Sequence, residues 1–471
     1  MSVGGIHSAF AVQVVRQTIL RKAEVSPMNN TTLDLTFPAF GGKEVVSRND
    51  GGDITSDAGL LLVGLADKKL GLTQAMADSV VDRRRQSSVV HDILMMSRER
   101  IYGICQDYED ANDLDMLRHD PALKTACKRL PKSGDSLASQ PTISRFENMP
   151  GIRDQVRMAE SMARMVISQM PESTRRIIID VDPTEYPVHG QQEFEFFNGH
   201  YGCHCYLPVH VHITGDDGRQ RILASLLRPG NAGATKGLYS ALRIAIRLIR
   251  RRLPDVRIIL RADSAFGVCD VLNFCEDMGI DYILGMKGNN VLHGLSAPVQ
   301  MDACLKYKWE GNGCREYGSV SYKAGSWRQL RRVVVKAEIT QGELNPRFVV
   351  TSLENLGDEE AYGFYCGRGE QENRIKEIKL DLNSGRTSCH SFLANQFRLL
   401  LHTAACMLMG VLQESLAGTR FAKAQIGTLR TRILKVGARV VETSRKIWFH
   451  LPSSFPQMEI WNRMHAALLS D

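Results

Sequence analysis

The spacing of apolar residues divides the chain into a helical first part and a mixed second part. From Ser56 to Asp78, leucines and methionines recur at helical spacing, and two further helices are predicted over Val89–Tyr108 and Asp113–Arg129. After Pro171 the helical periodicity gives way to short apolar runs that predict strands. The sequence therefore predicts an α/β protein that begins with a helical region.

The second part predicts three strands, a helix, and then alternating strands and helices. The predicted strands are Ile177–Val181, Cys205–Ile213, Gln220–Leu227, Arg257–Leu260 and Asp281–Met286, with helices at Thr235–Arg252 and Val268–Met278. This is the element order of an RNase H-like sheet. Between Gly288 and Glu360 the helical periodicity disappears, and the antiparallel strands predicted there are Ser319–Tyr322, Leu330–Ile339 and Arg347–Thr351. The predicted fold class is α/β, with an RNase H-like core interrupted by a β-rich insertion.

Beyond this insertion, residues 365–379 predict a short polar helix with two glycines near its start. At 100° per residue, Tyr365, Arg368, Glu372 and Lys379 fall within about 60° of one another, so four polar groups share one face. A charged helix is often a solvated surface with ion pairs between residues four apart. On periodicity alone, both a solvated face and a functional face remain open.

Aspartates at the ends of two predicted strands are candidate metal ligands. Asp180 and Asp182 alternate along the first strand and therefore share a face, and Asp263 follows the fourth strand. The first and fourth strands are neighbours in an RNase H-like sheet, and Glu372 would approach from a helix beside them. Carboxylates without histidine or cysteine suit Mg²⁺ or Mn²⁺. Two such ions, about 3.5–4 Å apart, can promote an in-line phosphoryl displacement. Turn or helix capping is the competing role for each aspartate.

The second predicted strand and the two residues before it carry a rival cluster that could bind zinc. Its members are Cys203, His204, Cys205, His210 and His212. Neighbouring residues of a strand face opposite ways, and no second Cys-x-x-Cys or His-x₃-His pair follows at a suitable distance. Phosphate-binding loops and nucleophile-elbow motifs are also missing from the sequence. The carboxylates remain the best-supported candidate site.

The positive charge of the chain is concentrated near its C-terminus. The 471 residues have a formal net charge of +7, and residues 419–449 contain eight basic side chains against the one acid Glu442. This segment alone therefore accounts for the net charge and predicts contacts with a polyanion. The residues chosen as candidate DNA contacts are Arg430, Arg432, Lys435 and Arg439.

Other features exclude some classes of protein. The eleven cysteines are scattered without the framework of a small secreted domain, which predicts reduced thiols in the cytoplasm. No apolar run is long enough to predict a membrane span. Residues 1–36 predict a disordered tail, and Met28 is a possible alternative start. A polar helix near Ser139–Asn148 predicts either a surface helix or one that enters a DNA groove.

Several stretches resemble a known family. The spacing Y-(2)-R-(3)-E-(6)-K of residues 365–379 resembles the signature of DDE-type insertion-sequence transposases. The chain from about Asp53 to Leu451 is similar to the insertion-sequence 1380 family. The further stretches that carry this resemblance are Ser56–Leu62, Tyr102–Leu123, Ser139–Asn148, His189–Tyr206, Leu227–Asn231 (L-R-P-G-N) and Arg261–Phe266.

The resemblance implies an activity and a role for each candidate residue. It implies a bacterial transposase that binds the terminal inverted repeats of its element and target DNA as a homodimer, in the cytoplasm at the nucleoid. Two Mg²⁺ or Mn²⁺ ions would be held by Asp182, Asp263 and Glu372, with Asp180 as an alternative first aspartate. Arg368 and Lys379 would contact phosphates, and Tyr365 the terminal nucleotides.

The predicted organisation has six parts. They are a tail (1–36), a helical DNA-binding domain (37–170), the first part of the core (171–288), a β-rich insertion (289–361), the second part of the core (362–400) and a basic helical segment (401–471). Two other functions remain open on the sequence. One is a structure-specific nuclease on the same fold, and the other is a DNA-binding regulator that has lost cleavage.

Overall fold

The first element of the structure is an exposed β-hairpin in a compact unit of its own, which ends at Asp53. The structure is a computed structural model that describes residues 34–311 and 313–470. Strand β1 (Leu35–Phe40) pairs antiparallel with β2 (Lys43–Ser47). The turn consists of Gly41 and Gly42, both at positive φ, as a tight hairpin turn requires. Residues 35–36 are therefore strand, which corrects the end of the predicted tail, and residues 1–33 lie outside the described residues.

The second unit begins at Ile54 with a short strand and a series of helices. Strand β3 (Ile54–Thr55) is followed by α1 (Leu60–Leu70), α2 (Leu72–Asp78), α3 (Ile93–Cys105), α4 (Leu114–Leu117), α5 (Pro121–Ala126), α6 (Gln140–Glu147) and α7 (Ile152–Ser168). Side-chain caps at Asp92 and Asp120 accept backbone hydrogen bonds at the starts of α3 and α5. The prediction of helices in this part is confirmed, whereas its predicted domain boundaries stay a prediction.

The following elements are mostly strands, with four helices among them. They are β4 (Arg176–Pro183), β5 (Tyr186–Pro187), β6 (Phe196–Asn198), β7 (Cys203–Tyr206), β8 (Val209–Thr214), β9 (Gln220–Leu226), α8 (Leu238–Arg252), β10 (Arg257–Ala262), α9 (Cys269–Asp277), β11 (Asp281–Met286), α10 (Asn290–Leu295), α11 (Ala297–Glu310), β12 (Arg315–Tyr322), β13 (Arg331–Thr340) and β14 (Glu343–Thr351). The predicted strand Cys205–Ile213 is wrong as one element. Pro208 separates β7 from β8, and a proline cannot donate a hydrogen bond to a neighbouring strand.

Eight of these strands form one mixed sheet in the order β12-β13-β14-β11-β10-β4-β8-β9. The central strand β4 runs parallel to β10 and antiparallel to β8, and β10 runs parallel to β11. Strands β5, β7 and β6 form a separate three-stranded sheet. The predicted β-rich insertion therefore extends the main sheet, and it also contains α10 and α11. The expectation that helical periodicity disappears after Gly288 was wrong.

The remaining elements cover the sheet and close the chain. They are α12 (Asp358–Cys366), α13 (Gly369–Lys376), a π-helical segment (Glu377–Asp381), α14 (Phe392–Glu414), α15 (Ile426–Leu429), a second π-helical segment (Arg430–Leu434), β15 (Ala438–Glu442), β16 (Ile447–His450) and α16 (Met458–Leu469). The predicted polar helix is thus divided among α12, α13 and a π-helical segment. The C-terminal segment was predicted to be helical, but β15 pairs with both β16 and β3 in a small sheet.

Helix α14 forms the centre of the hydrophobic core. Sixteen of its 23 residues are buried, and it packs against α1, α3, α7 and β9. A helix that is apolar on nearly all sides belongs in an interior. No helix among the described residues has both the length and the apolar character of a membrane span.

Candidate active site

The ends of two parallel strands bring two aspartates side by side. Strand β4 pairs with β10 so that Val181 lies beside Ala262, and the next residues along the two strands are Asp182 and Asp263. The carboxyl edge of a parallel pair is where open α/β sheets bind ligands. The charge of Asp263 contributes to a raised pKa of Asp182, as expected for neighbouring carboxylates.

Asp180 lies on the same face of β4 but is fully buried and paired. Arg261 on β10 donates from Nε to Asp180 Oδ1 at 2.6 Å and from Nη2 to Oδ2 at 2.9 Å. Gln220 Nε2 also donates to Oδ2, at 3.0 Å. Both carboxylate oxygens are therefore occupied by strong protein donors. The surroundings of Asp180 are those of a structural ion pair.

Asp182 is in a different electrostatic setting. The pKa of Asp182 is raised to about 7, chiefly by burial and also by the negative charges of Asp263 and Glu372, whereas the Arg368 guanidinium lowers it. Burial disfavours the charged carboxylate, and nearby negative charges act in the same direction. The side chain is 15% exposed, so it can be reached from solvent. Groups with strongly perturbed pKa values are often found at functional sites.

Glu372 approaches this edge from helix α13, and Arg368 lies between the acids. The N-cap of α13 is Arg368, so Glu372 lies one turn further along the same face. Arg368 Nη1 is 3.4 Å from Asp182 Oδ1, and its Nη2 is 3.1 Å from Glu372 Oε1. One guanidinium thus bridges an acid on the sheet and an acid on the helix.

The three acids have the right chemistry for a hard divalent cation. Their donors are carboxylate oxygens, which Mg²⁺ and Mn²⁺ prefer. Among the described residues, no group of three histidine, cysteine or acidic side chains is arranged tightly enough to hold a metal ion. Arg368 supplies positive charge between Asp182 and Glu372 in this arrangement. A cation that binds these acids would replace the charge of that guanidinium.

Tyr365 also lies at this edge, at the end of α12. A Cβ at Gly285 would come within 2.6 Å of the Tyr365 hydroxyl, so the close approach of the phenol depends on the glycine. Burial raises the pKa of Tyr365; the charge of Asp263 also raises it, and Arg368 opposes this effect. The predicted grouping of Tyr365, Arg368 and Glu372 is therefore present, although they lie on two helices.

Lys379 lies further along, in the π-helical segment that follows α13. Its Nζ donates to Glu185 Oε1 at 2.5 Å, and Glu185 comes three residues after Asp182. The pair is partly exposed, with 24% of the Lys379 side chain accessible. Lys379 is thus next to the acidic edge through Glu185, without a direct contact to Glu372.

Comparison with known proteins identifies the family of the chain. The sequence model of the family described as Transposase DDE domain group 1 matches residues 37–470. The chain belongs to this transposase family. A search of curated proteins found no match. Membership implies that the protein acts on DNA and breaks or joins phosphodiester bonds, and such transposases generally use divalent metal ions. The match includes β4, β10 and α13, which carry the acids.

The basic side chains in the C-terminal segment of the transposase differ in their exposure to solvent. Arg430 is buried and donates to Cys105 O at 3.0 Å, to Asp107 Oδ1 at 2.8 Å and to Asp381 O at 2.5 Å. Each of the three guanidinium nitrogens thus donates a hydrogen bond within the protein, and the predicted contact of Arg430 with DNA stays a prediction. A phosphate could reach it only if these bonds were broken.

The other three basic candidates are accessible to different degrees. Lys435 Nζ lies 2.9 Å from Asp57 Oδ1 and 3.9 Å from the centre of the Tyr108 ring, so it is engaged within the transposase. Arg432 and Arg439 are exposed. They remain the best candidates for contacts with the DNA backbone among the four.

The five residues of the rival zinc cluster are split between two sheets. His210 and His212 are buried in β8 of the main sheet, whereas Cys203, His204 and Cys205 belong to β7 of the small sheet. His210 Nδ1 is 2.8 Å from Ser225 Oγ, and burial lowers the pKa of His210 to about 3. A buried neutral histidine with hydrogen-bond partners has a structural role.

Arg261 is the important residue that the sequence analysis missed. It pairs with Asp180 and donates from Nη1 to Phe364 O at 2.7 Å, which connects β4, β10 and α12. A signal was present in the sequence, because an arginine inside an apolar strand needs a buried anion. Its partner depends on the register of β4 against β10, which the apolar pattern does not define.

Proposed function

We propose that the protein is the transposase of a bacterial insertion sequence of the 1380 family. It binds the terminal inverted repeats and catalyses metal-dependent DNA cleavage and strand transfer. The observation that carries the proposal is the contact of Arg368 with both Asp182 and Glu372 at the carboxyl edge of the sheet, where Asp263 follows the neighbouring strand. Asp182 is the first carboxylate of the set, because Asp180 is saturated by Arg261 and Gln220.

The strand order supports an RNase H-like core. Numbered from β4, the five core strands lie in the order third, second, first, fourth, fifth, which corresponds to β9-β8-β4-β10-β11. The first strand is antiparallel to the second and parallel to the fourth. This arrangement brings the ends of the first and fourth strands together. The strands that follow β11 extend the sheet before the chain reaches α13.

The three acids would hold two Mg²⁺ or Mn²⁺ ions. Such ions activate an attacking oxygen and stabilise the leaving oxygen in phosphoryl transfer. Asp182 must be deprotonated to act as a ligand, and its raised pKa makes this step depend on pH near neutrality. The positive charge of Arg368 lowers the pKa of Asp182 and therefore favours its deprotonated form.

Arg368, Tyr365 and Lys379 would position the DNA strand. Two acids position the guanidinium of Arg368. Its planar set of N–H donors can form two hydrogen bonds to a phosphate that reaches the site. Tyr365 lies beside Asp263 and would contact the terminal nucleotide. Lys379, partly exposed beside Glu185, would contact a neighbouring phosphate.

The exposed Arg432 and Arg439, together with Lys435, would add contacts to the backbone of the duplex. The protein would work as a homodimer on DNA at the nucleoid, in the cytoplasm.

The test is Glu372→Gln, measured with a labelled duplex of the element's terminal repeat, with and without Mg²⁺. The change removes a charge but keeps the shape, so cleavage and strand transfer should be lost while DNA binding and the circular dichroism spectrum are retained. Glu370→Gln is the matched control, because Glu370 is an exposed acid on the same helix. Undiminished cleavage by Glu372→Gln, or an equal loss in Glu370→Gln, would refute the proposed role. Cleavage without joining to target DNA would indicate a nuclease.

A further inference from the structure

A small hairpin beside the active site exposes an unusual number of aromatic rings. It consists of β6, β7 and the turn between them (residues 196–206), and is here named the aromatic hairpin. Phe197 is 58% exposed, Phe196 40% and Tyr201 37%. Side chains of this size are usually buried, and a concentrated exposed group marks an interaction surface. The hairpin lies in the stretch His189–Tyr206, which carries part of the family resemblance but contains none of the three candidate acids.

The aromatic hairpin is connected directly to the acidic edge. Strand β5 begins three residues after β4 ends, and its Tyr186 pairs with Tyr206 of β7. Burial raises the pKa of the Tyr201 phenol in the turn, and the charges of Glu185, Asp182 and Asp263 raise it further. Through β5, the hairpin thus follows directly from the strand end that carries Asp182.

The turn is held in place by its own side chains and by the segment after β9. Asn198 Oδ1 accepts from the backbone N of His200 at 3.0 Å and of Tyr201 at 3.3 Å, and its Nδ2 donates to Gly230 O at 2.8 Å. A Cβ at Gly230 would lie 2.2 Å from Cys205 O, so only glycine fits beneath β7. The stretch L-R-P-G-N (residues 227–231) thus supports the hairpin.

Arg228 in this stretch is buried and supports the same hairpin. Its Nε donates to Leu207 O at 2.7 Å, directly after β7, and its Nη1 donates to Ala234 O at 2.5 Å. Above this support, Phe197 of β6 lies opposite His204 of β7, and their ring centres are 5.6 Å apart. The rings are therefore presented on a rigid support, which lowers the entropic cost of binding.

The kind of ligand follows from the exposed rings and their position. Aromatic side chains stack on the faces of nucleic acid bases, and stacking tolerates any sequence. A paired duplex hides these faces, so only an unpaired nucleotide offers them. Building on the proposed function, we propose that the aromatic hairpin stacks Tyr201 and Phe197 on unpaired nucleotides of the DNA strand beside the bond that is cut at Asp182 and Asp263.

The experiment compares a short duplex that has a single-stranded tail with the same duplex fully paired. The tail carries a fluorescent base analogue whose emission falls on stacking, and the full chain is titrated without metal so that nothing is cut. Tyr201→Ala and Phe197→Ala should each weaken binding of the tailed DNA by about tenfold and abolish the quenching. Binding of the paired duplex and the melting temperature should not change.

Two further variants make the test specific. Tyr201→Phe keeps the ring and should bind and quench like the wild type. Trp309→Ala removes another exposed ring, 88% accessible on α11, and should have no effect. Unchanged binding of tailed DNA by both alanine variants would overturn the inference, as would a Tyr201→Phe variant as weak as Tyr201→Ala.

This result is independent of the test of the proposed function. If the tail binds through these rings but Glu372→Gln still cuts, only the proposed catalytic role fails. If the acids act as proposed but tailed DNA binds equally well without the two rings, only the inference about the hairpin fails.

Discussion

Asp180 and Asp182 occupy the same face of one strand but have different partners. Asp180 is buried and receives two hydrogen bonds from Arg261, at 2.6 and 2.9 Å. Asp182 at the end of the strand is contacted by Arg368 at the longer distance of 3.4 Å, and that guanidinium is shared with Glu372. Asp180, inside the strand, thus has both carboxylate oxygens bound by one arginine, whereas Asp182, at its end, has a longer contact to an arginine that also binds Glu372.

The difference separates an ion pair that maintains the fold from one that can exchange partners. A buried charge without its partner is strongly destabilising, so Asp180 and Arg261 depend on each other. Arg368 is 20% exposed and contacts two acids. Under the proposed function, a metal ion would take its place on the acids and a phosphate would take the place of the acids on Arg368. The same residue types would therefore serve stability in one place and chemistry in the other.

The largest expected difference in stability is between Arg261 and Arg368. Arg261→Leu leaves Asp180 as a buried unpaired charge and should lower the free energy of unfolding by about 3–5 kcal/mol. Arg368→Leu breaks a partly exposed pair and should lower it by less than about 1 kcal/mol. Urea denaturation measures both changes.

For activity the order should be reversed: per folded molecule, Arg368→Leu should lose more cleavage than Arg261→Leu. Arg368→Leu should lose cleavage while it stays folded, and Arg368→Lys should also be poor, because a point charge replaces a planar fork. Equal losses of stability in the two leucine variants would remove the distinction between the pairs. Wild-type cleavage by the Arg368 variants would show that this arginine forms only a surface pair.

The next largest expected difference is between Asp182 and Asp180, in how each affects the pH dependence of stability. The carboxyl of Asp182 has a pKa of about 7 in the folded chain, against about 3.9 in an unfolded one. The folded chain therefore binds more protons, and the contribution of Asp182 to stability falls as the pH rises from about 4 to about 7. Asp182→Asn removes this loss, so the variant should melt at a higher temperature than the wild type at pH 8.

The two proteins should then converge as the pH falls towards 4, because the wild-type carboxyl is protonated there. Differential scanning calorimetry across this range measures the trend. Asp180→Asn should show no such gain, since it leaves Arg261 without its anion. A melting difference between Asp182→Asn and the wild type that does not vary with pH would contradict the account.

The smallest expected effect concerns the exposed basic residues near the C-terminus. Each phosphate contact contributes about 0.9 to the slope of log K against log salt concentration. Replacing Arg432, Arg439, Arg445 and Lys446 by glutamine should therefore reduce the slope by about 3–4 without a change in stability. Arg430→Gln is the contrast, because this buried side chain should affect folding rather than the salt dependence. An unchanged slope in the fourfold variant would place the segment away from the DNA.

Much of the central sheet could be predicted because its strands are short apolar runs that alternate with helices. The prediction for Asp281–Met286 matches β11 residue for residue, and the neighbouring ends of the first and fourth strands follow from the order of elements. The choice between Asp180 and Asp182 could not be made from the sequence, because it depends on which side chain Arg261 reaches across the sheet.

Other parts could not be predicted, for physical reasons. Helix α11 was missed because its apolar residues Met301, Leu305 and Trp309 face solvent rather than a core, so its pattern is not that of an ordinary amphipathic helix. Charge counting placed Arg430 on the surface because a count of charges contains no information on burial. The break between Tyr365 and Glu372 was hidden because helical spacing continues across it.

Cleavage by the pair Asp180→Asn and Asp182→Asn tests the central claim most directly. Both variants are assayed on the terminal-repeat duplex with Mg²⁺ at a temperature where each is folded, and rates are expressed per folded molecule from circular dichroism. We expect Asp182→Asn to bind DNA and fail to cut, and Asp180→Asn to cut although it melts at a lower temperature. Cleavage by Asp182→Asn together with its loss in folded Asp180→Asn would contradict the account.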